Sequence, residues 1–297
     1  MKGIDKARLY KPKVIKAEFH RINNNGELVL MKEEEWGYGG YSDKNIKILK
    51  NTGSDIYTTL SGLKPSVTAL SKDYQKIINV SKKLSTFVVN NNISGVDVDI
   101  EEFGAWTQGE KEAYLSFIYE LGIKLHKNSK KLIVNLPAVT SESEANWYKL
   151  KYDDFNTTGE KGLSNIVDYY SIMSYDYMFD YGVGTPVQPL DWLGKSIEYT
   201  KSKFDTNKII MGINAYGYKG TNGEYTPTNI TYEQASKINN FNTAQRDNSS
   251  GEMYWNNGNK HYRYVDVEGM NIKKDYILSK GINKISVWHL GGNKWFY

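Results

Sequence analysis

From residue 95 to residue 101 the chain alternates strictly, with Val96, Val98 and Ile100 interleaved with Asp97, Asp99 and Glu101. A period of two is that of a strand, so the three acids share one face and the three aliphatics the other. Helical patterns flank it, residues 73–92 before and 107–129 after. A strand between two helices belongs to a parallel α/β sheet, whose two faces are normally covered. Three carboxylates there repel each other and lose hydration, so at least one is expected to hold a proton near neutral pH. Such a cost is usually met at a site of chemistry. The competing reading is a half-exposed edge strand with a solvated acidic face. Glu102-Phe103-Gly104, which ends the strand as a loop would, and the Gly-rich and aromatic-rich strand ends elsewhere favour the first.

The same alternation of elements runs along the chain. Strands are expected at residues 13–19, 56–60, 93–100, 131–136, 167–175, 208–215 and 284–290. Helices are expected at 43–51, 73–92, 107–129, 190–204, 231–239 and 270–280. Repeated βα units without a break in composition predict an α/β fold, a (β/α)8 TIM barrel forming one catalytic domain over residues 1–297. The strands number seven, not eight. Residues 1–10 are too short for a full first strand and its loop, and residues 291–297 too short for a last helix. The expectation is therefore a barrel lacking a complete first strand and last helix, either incomplete at its start or a fragment of a longer product. Asn23-Asn24-Asn25-Gly26 and Asn256-Asn257-Gly258-Asn259 read as tight hairpin turns.

Composition narrows the chemistry. The 24 tyrosines suit a carbohydrate cleft, where flat rings stack on sugar faces, although most of them are expected simply to replace Phe in the core. There is no cysteine, which excludes disulfides, thiolate metal sites and a cysteine nucleophile. His20, His126, His261 and His289 have no mutual ligand spacing, so neither metal nor cofactor is expected. Net charge is +4, but the lysines are scattered beside acids rather than interleaved with aromatics, so no nucleic-acid partner is expected. No segment has the length of a membrane span, and the first residues show no signal peptide. A monomer is expected.

The acid strand resembles the D-x-x-D-x-D-x-E motif of glycoside hydrolase family 18, the chitinases and related endo-N-acetylglucosaminidases. Asp97, Asp99 and Glu101 match its last three acids, while Ser94 stands where the family usually has Asp. Met173, Tyr175 and Asp176 resemble the family's M-x-Y-D motif on its sixth strand. Tyr216 resembles a substrate-contacting tyrosine of the seventh strand, where Asn214 replaces the usual Pro. Trp288 resembles the tryptophan that floors the cleaved sugar, and Ser61-Gly62 is a partial match to the third-strand Ser-x-Gly-Gly. The segment 182–192, Gly-Val-Gly-Thr-Pro-Val-Gln-Pro-Leu-Asp-Trp, and Tyr216-Gly217-Tyr218 are similar to the spore cortex-lytic branch.

The resemblance implies a retaining glycosidase in which the substrate supplies its own nucleophile. Glu101 protonates the glycosidic oxygen, and the 2-acetamido carbonyl attacks the anomeric carbon. Asp99 stabilises the resulting oxazolinium and shares a proton with Asp97. Tyr175 donates to the acetamide oxygen, Asp176 positions that group, and Met173, Tyr216 and Trp288 bind the sugar. The implied partner is an N-acetylglucosamine-containing polysaccharide, peptidoglycan of the spore cortex before chitin. The implied location is secreted or associated with spore or cell wall. A sugar-binding lectin on the same barrel is the alternative, but such proteins usually lose the acid that Glu101 matches. The stretch from 219 to 268 is shorter than the insertion that walls a deep chitinase cleft, which implies a shallower groove.

Overall fold

The computed structural model describes residues 3–36, 39–160, 162–224 and 226–295. These divide into two compact units.

One unit comprises residues 11–136 and 141–170. Its strands are β1 (Val14–Ile22), β2 (Leu28–Leu30), β3 (Asp55–Gly62), β4 (Gly95–Ile100) and β5 (Lys131–Pro137), in the order β5-β4-β3-β1-β2. The pairs β1/β3, β3/β4 and β4/β5 are parallel. β1 and β2 form a hairpin through the expected Asn-rich turn, closed by Gly26 at φ +74°. The helices Tyr74–Asn90 and Gln108–His126 fall where the apolar periodicity put them, and each begins at a side-chain cap. Asp73 accepts from the Gln75 amide at 2.9 Å. Thr107 and Glu110 satisfy each other's backbone N–H in a capping box. Val96, Val98 and Ile100 are fully buried, as are Leu84, Val88, Phe117 and Leu121 on the two helices. Each such side chain contributes roughly 1.5–3 kcal/mol by leaving water. Gly95 opens β4 because a Cβ there would stand 2.0 Å from the Lys131 carbonyl oxygen. The helix Lys64–Ser71, which no periodicity announced, starts at Leu63 with Pro65 in its first turn.

The second unit comprises the described residues of 1–10, 137–140 and 171–297. Residues expected to be too short for a first strand form a helix instead, Gly3–Tyr10. β6 (Tyr169–Met173) ends in this unit, shorter than the expected 167–175, and its neighbour is β7 (Ile209–Asn214). The chain then builds a five-stranded antiparallel sheet that was not foreseen. It consists of β8 (Gly217–Thr221), β9 (Thr228–Ile230), β10 (Gln245–Asp247), β11 (Glu252–Asn257) and β12 (Lys260–Tyr264), ordered β10-β11-β12-β8-β9. The β11–β12 turn is the expected hairpin, with Gly258 at φ +61°. The expected helix 231–239 shrinks to Tyr232–Ala235, and Asn240 in the left-handed region turns the chain toward β10. Trp255, Tyr262 and Tyr264 form the sheet's buried cluster, with Tyr232 and Phe241 packed on it. Here the core reading of the tyrosines is the right one. After the helix Val267–Ser279, β13 (Ile285–Trp288) pairs parallel with β7. Among the described residues no helix is long and apolar enough to cross a membrane.

Candidate active site

Strand register gathers the polar side chains of the first unit on one face. Asp97 lies opposite Thr59, and Asp99 opposite Ser61. Glu18 of β1 lies opposite Thr59 on the other side. Asp97 is buried and takes three donors. Thr59 Oγ1 donates to Oδ2 at 2.9 Å, Asn135 Nδ2 donates to Oδ1 at 2.9 Å, and Lys16 Nζ sits 2.8 Å from Oδ1. Asn135 also donates to the Val98 carbonyl at 3.0 Å, which fixes its amide against β4. A buried carboxylate with three donors, one of them cationic, meets its desolvation cost locally.

Asp99 has the opposite environment. Its Oδ1 is buried and has no hydrogen-bond partner among the described residues. Burial above all, then the charges of Asp97 and Glu101, pushes its carboxyl up to about 8, against a smaller opposing effect of Lys16. Asp99 therefore holds a proton near neutral pH, as the sequence pattern led one to expect for one of the three acids. Glu18 is pushed up too, by burial and by Asp97. Glu101, the last residue of the alternation, is exposed at the carboxyl end of β4, with its amide bonded to the Gly62 carbonyl at 3.0 Å. Glu102 follows at φ +68°, so the chain leaves the strand sharply. His20 is a core group. It bonds Thr58 Oγ1 at 2.8 Å, packs on Phe87, and burial lowers it to about 4.

The second unit holds the other candidates. Asp176 follows β6 at φ +68°, a conformation that a non-glycine residue keeps only when its surroundings over-determine it. Tyr216 and Tyr218 both donate their hydroxyls to Asp176 Oδ1, Tyr218 at 3.0 Å. Burial raises the Asp176 carboxyl, and these two hydroxyls oppose the rise. Tyr216 itself is fully buried. Tyr175 is half-buried and lies against Trp288 at 6.4 Å between centroids, 23° from parallel. Trp288 keeps 42% of its surface exposed, and the Tyr216 ring meets it edge-on at 4.9 Å. Met173 is half-buried at the end of β6. Among the described residues no three His, Asp or Glu side chains are grouped so as to hold a metal.

Sequence reasoning missed Lys16, Thr59 and Asn135. Only Asn135, a lone polar residue among the apolar Leu132–Leu136, carried a local signal; Lys16 and Thr59 sit in strands that hold several other polar residues. It also missed Gln188, Glu252 and Lys273, three polar residues buried completely around Asn214.

Comparison with known proteins agrees with the motifs. The chain belongs to the glycosyl hydrolases family 18, whose family model matches residues 8–293. It is 27% identical over 198 residues to the cortical fragment-lytic enzyme of Bacillus subtilis, covering 61% of this chain and 43% of that one. It is 26% identical over 179 residues to the uncharacterized glycosylase YvbX of the same organism, covering 59% and 47%. The chain thus matches less than half the length of these curated relatives. Among solved structures, a chitinase from Chromobacterium violaceum superposes with a TM-score of 0.77 at 20% identity, over 98% of this chain and 90% of that one. The spore cortex-lytic enzyme SleL of Bacillus megaterium superposes at 0.75 with 19% identity, over 98% and 67%. These structures share the chitinase-like α/β fold with this chain.

Proposed function

We propose that the chain is a retaining glycoside hydrolase that cleaves β-1,4-linked N-acetylglucosamine polymers by substrate-assisted catalysis, acting as one (β/α)8-type catalytic domain. The observation that carries this reading is the Asp99 carboxyl: buried, protonated near neutral pH, and with an oxygen that no described residue bonds. Such a group suits an incoming acetamide N–H. Glu101 is the general acid. It gives its proton to the glycosidic oxygen as the acetamido carbonyl oxygen bonds to C1 and the C1–O bond breaks. The oxazolinium formed carries positive charge, which Asp99 stabilises by accepting the acetamide N–H as its own proton is drawn toward Asp97. Tyr175 donates to the acetamide oxygen, Asp176 orients that group with Tyr216 behind it, and Trp288 and Met173 receive the sugar's flat face. Glu101 then takes a proton from water attacking C1, and the anomeric configuration is retained.

Spore cortex peptidoglycan is the favoured polymer, with chitin second. The loop 182–192 and the Tyr216-Gly217-Tyr218 triplet support this, as does the relationship to cortical fragment-lytic enzymes. The test is to digest muramic-δ-lactam-containing cortex fragments and chitin oligomers and to identify the new reducing ends by mass spectrometry. Reducing N-acetylglucosamine from cortex fragments is expected. Chitobiose from chitin with no such ends from cortex would overturn the preference, and no cleavage of either would overturn the activity.

A further inference from the structure

We propose that Glu252 and Lys273 form a buried positioning pair that sets the orientation of Tyr175 and Asp176, and through them of the substrate's acetamido group. The inference rests on the acetamide-binding role proposed above for those two residues. Both members of the pair are completely buried, 2.8 Å apart, one on β11 and the other on the helix Val267–Ser279. Two chains of hydrogen bonds leave the pair, one ending on the Ser174 carbonyl, in the peptide bond to Tyr175, and the other on Asp176.

The first chain runs from Glu252. Its two carboxylate oxygens accept the backbone N–H groups of Val187 and Gln188 at 3.0 and 2.9 Å. The Gln188 side-chain amide then donates to the carbonyl of Ser174, the residue before Tyr175, and to the carbonyl of Gly212 at 2.7 Å. Ser174 Oγ donates to the same Gly212 carbonyl at 2.8 Å. The second chain runs from Lys273. Its ammonium donates to Asn214 Oδ1 at 2.6 Å, and Asn214 Nδ2 donates to the Tyr216 carbonyl at 2.9 Å. The Tyr216 hydroxyl donates to Asp176.

Holding the antiparallel sheet against β7 does not call for such a pair. Apolar side chains of similar volume would serve as well or better, since burying two charges costs more than their attraction often returns. What they cannot supply is direction: two acceptors aimed at the amides of Val187 and Gln188, and a donor aimed at Asn214. The charges around the pair balance. Arg263 Nη1 lies 3.7 Å from Glu252 and 2.8 Å from Asp247, so two cations face two anions. The departure from the usual Pro at Asn214 acquires a purpose, because only a side chain with both an acceptor and a donor links Lys273 to the Tyr216 backbone. The segment 182–192 does too, since its Val187–Gln188 backbone is the surface that Glu252 grips.

The test uses the paired variant Glu252→Gln/Lys273→Met, which removes both buried charges together, and the single variant Asn214→Ala, which cuts the second chain alone. Binding of a thiazoline analogue of the oxazolinium is measured beside kcat, KM and the thermal unfolding midpoint. Each folded variant is expected to lose about 10–100-fold in both thiazoline affinity and kcat while KM moves less than about threefold, the pattern of a misplaced group whose contact matters in the transition state. If the paired variant does not fold, Asn214→Ala decides alone. Folded variants that bind the thiazoline as tightly as the wild type overturn the positioning role, even if their unfolding midpoint drops. A wild type that does not bind the thiazoline overturns the acetamide reading itself.

Discussion

Lys16 Nζ stands 2.8 Å from Asp97 Oδ1, a cation of β1 inserted into the row of acids on β4. It divides the acids into two kinds. Asp97 has a counter-charge at 2.8 Å and two further donors, whereas the Oδ1 of Asp99, two residues on, has no hydrogen-bond partner among the described residues. Lys16 also holds Asp99 lower than it would otherwise be, because its charge favours the ionised carboxyl. Lys16→Met should therefore move the Asp99 titration above its present value of about 8. Carboxyl carbon NMR across pH 6–10 reads this directly. A titration that stays put or falls would show that Lys16 does not act on Asp99.

Asp99 also makes stability depend on pH with a definite sign. Its folded carboxyl titrates at about 8, well above the unfolded value of 3.8, so between those values the folded state binds more protons. Stability from this group is complete below the unfolded value and is lost as pH rises toward 8. His20 works the other way. Lowered to about 4 from 6.5, it costs stability as pH falls through that window. Of these two groups only Asp99 contributes above pH 6.5. Asp99→Asn should accordingly stabilise the protein more at pH 8.5 than at pH 6.5, measured as the shift in urea midpoint. An equal shift at both would remove Asp99 as the source.

Gly95 tolerates no side chain. A Cβ would meet the Lys131 carbonyl oxygen at 2.0 Å and the Tyr57 ring at 2.9 Å, and the first of these is backbone in a paired strand. Gly95→Ala should cost roughly 3 kcal/mol or more, toward the severe end of overpacking. Gly109→Ala, where nothing lies within 4 Å, is the control and should be close to neutral. Comparable unfolding midpoints for the two variants would contradict the packing described for β4.

Glu101→Gln should lower kcat by about 10²–10⁴-fold with little loss of oligosaccharide affinity, because the substitution removes the transferable proton and keeps the shape. Turnover on a chitin oligomer and calorimetric binding of the same ligand test it together. A variant that keeps more than about a tenth of its activity would show that another group is the acid.

Local pattern alone determined much of this protein. The alternation in Val96–Ile100, the caps at Asp73 and Thr107, and the Asn-Gly turns each depend on neighbours within a few residues, where periodicity and backbone preference act. They carried all seven expected strands and the acid row. The failures were of another kind. The five-stranded sheet is assembled from strands of three to six residues, too short for a period to stand out. The contacts that distinguish the acids were likewise hidden. Lys16, Thr59 and Asn135 reach Asp97 only because parallel pairing sets β1, β3 and β5 around β4 in one register. Asn214, Glu252 and Lys273 meet only after the sheet and helix have packed. Electrostatic and hydrogen-bond partners act over a few ångströms in space whatever their separation in sequence, so tertiary structure alone decided which acid is stapled and which is left with an open oxygen.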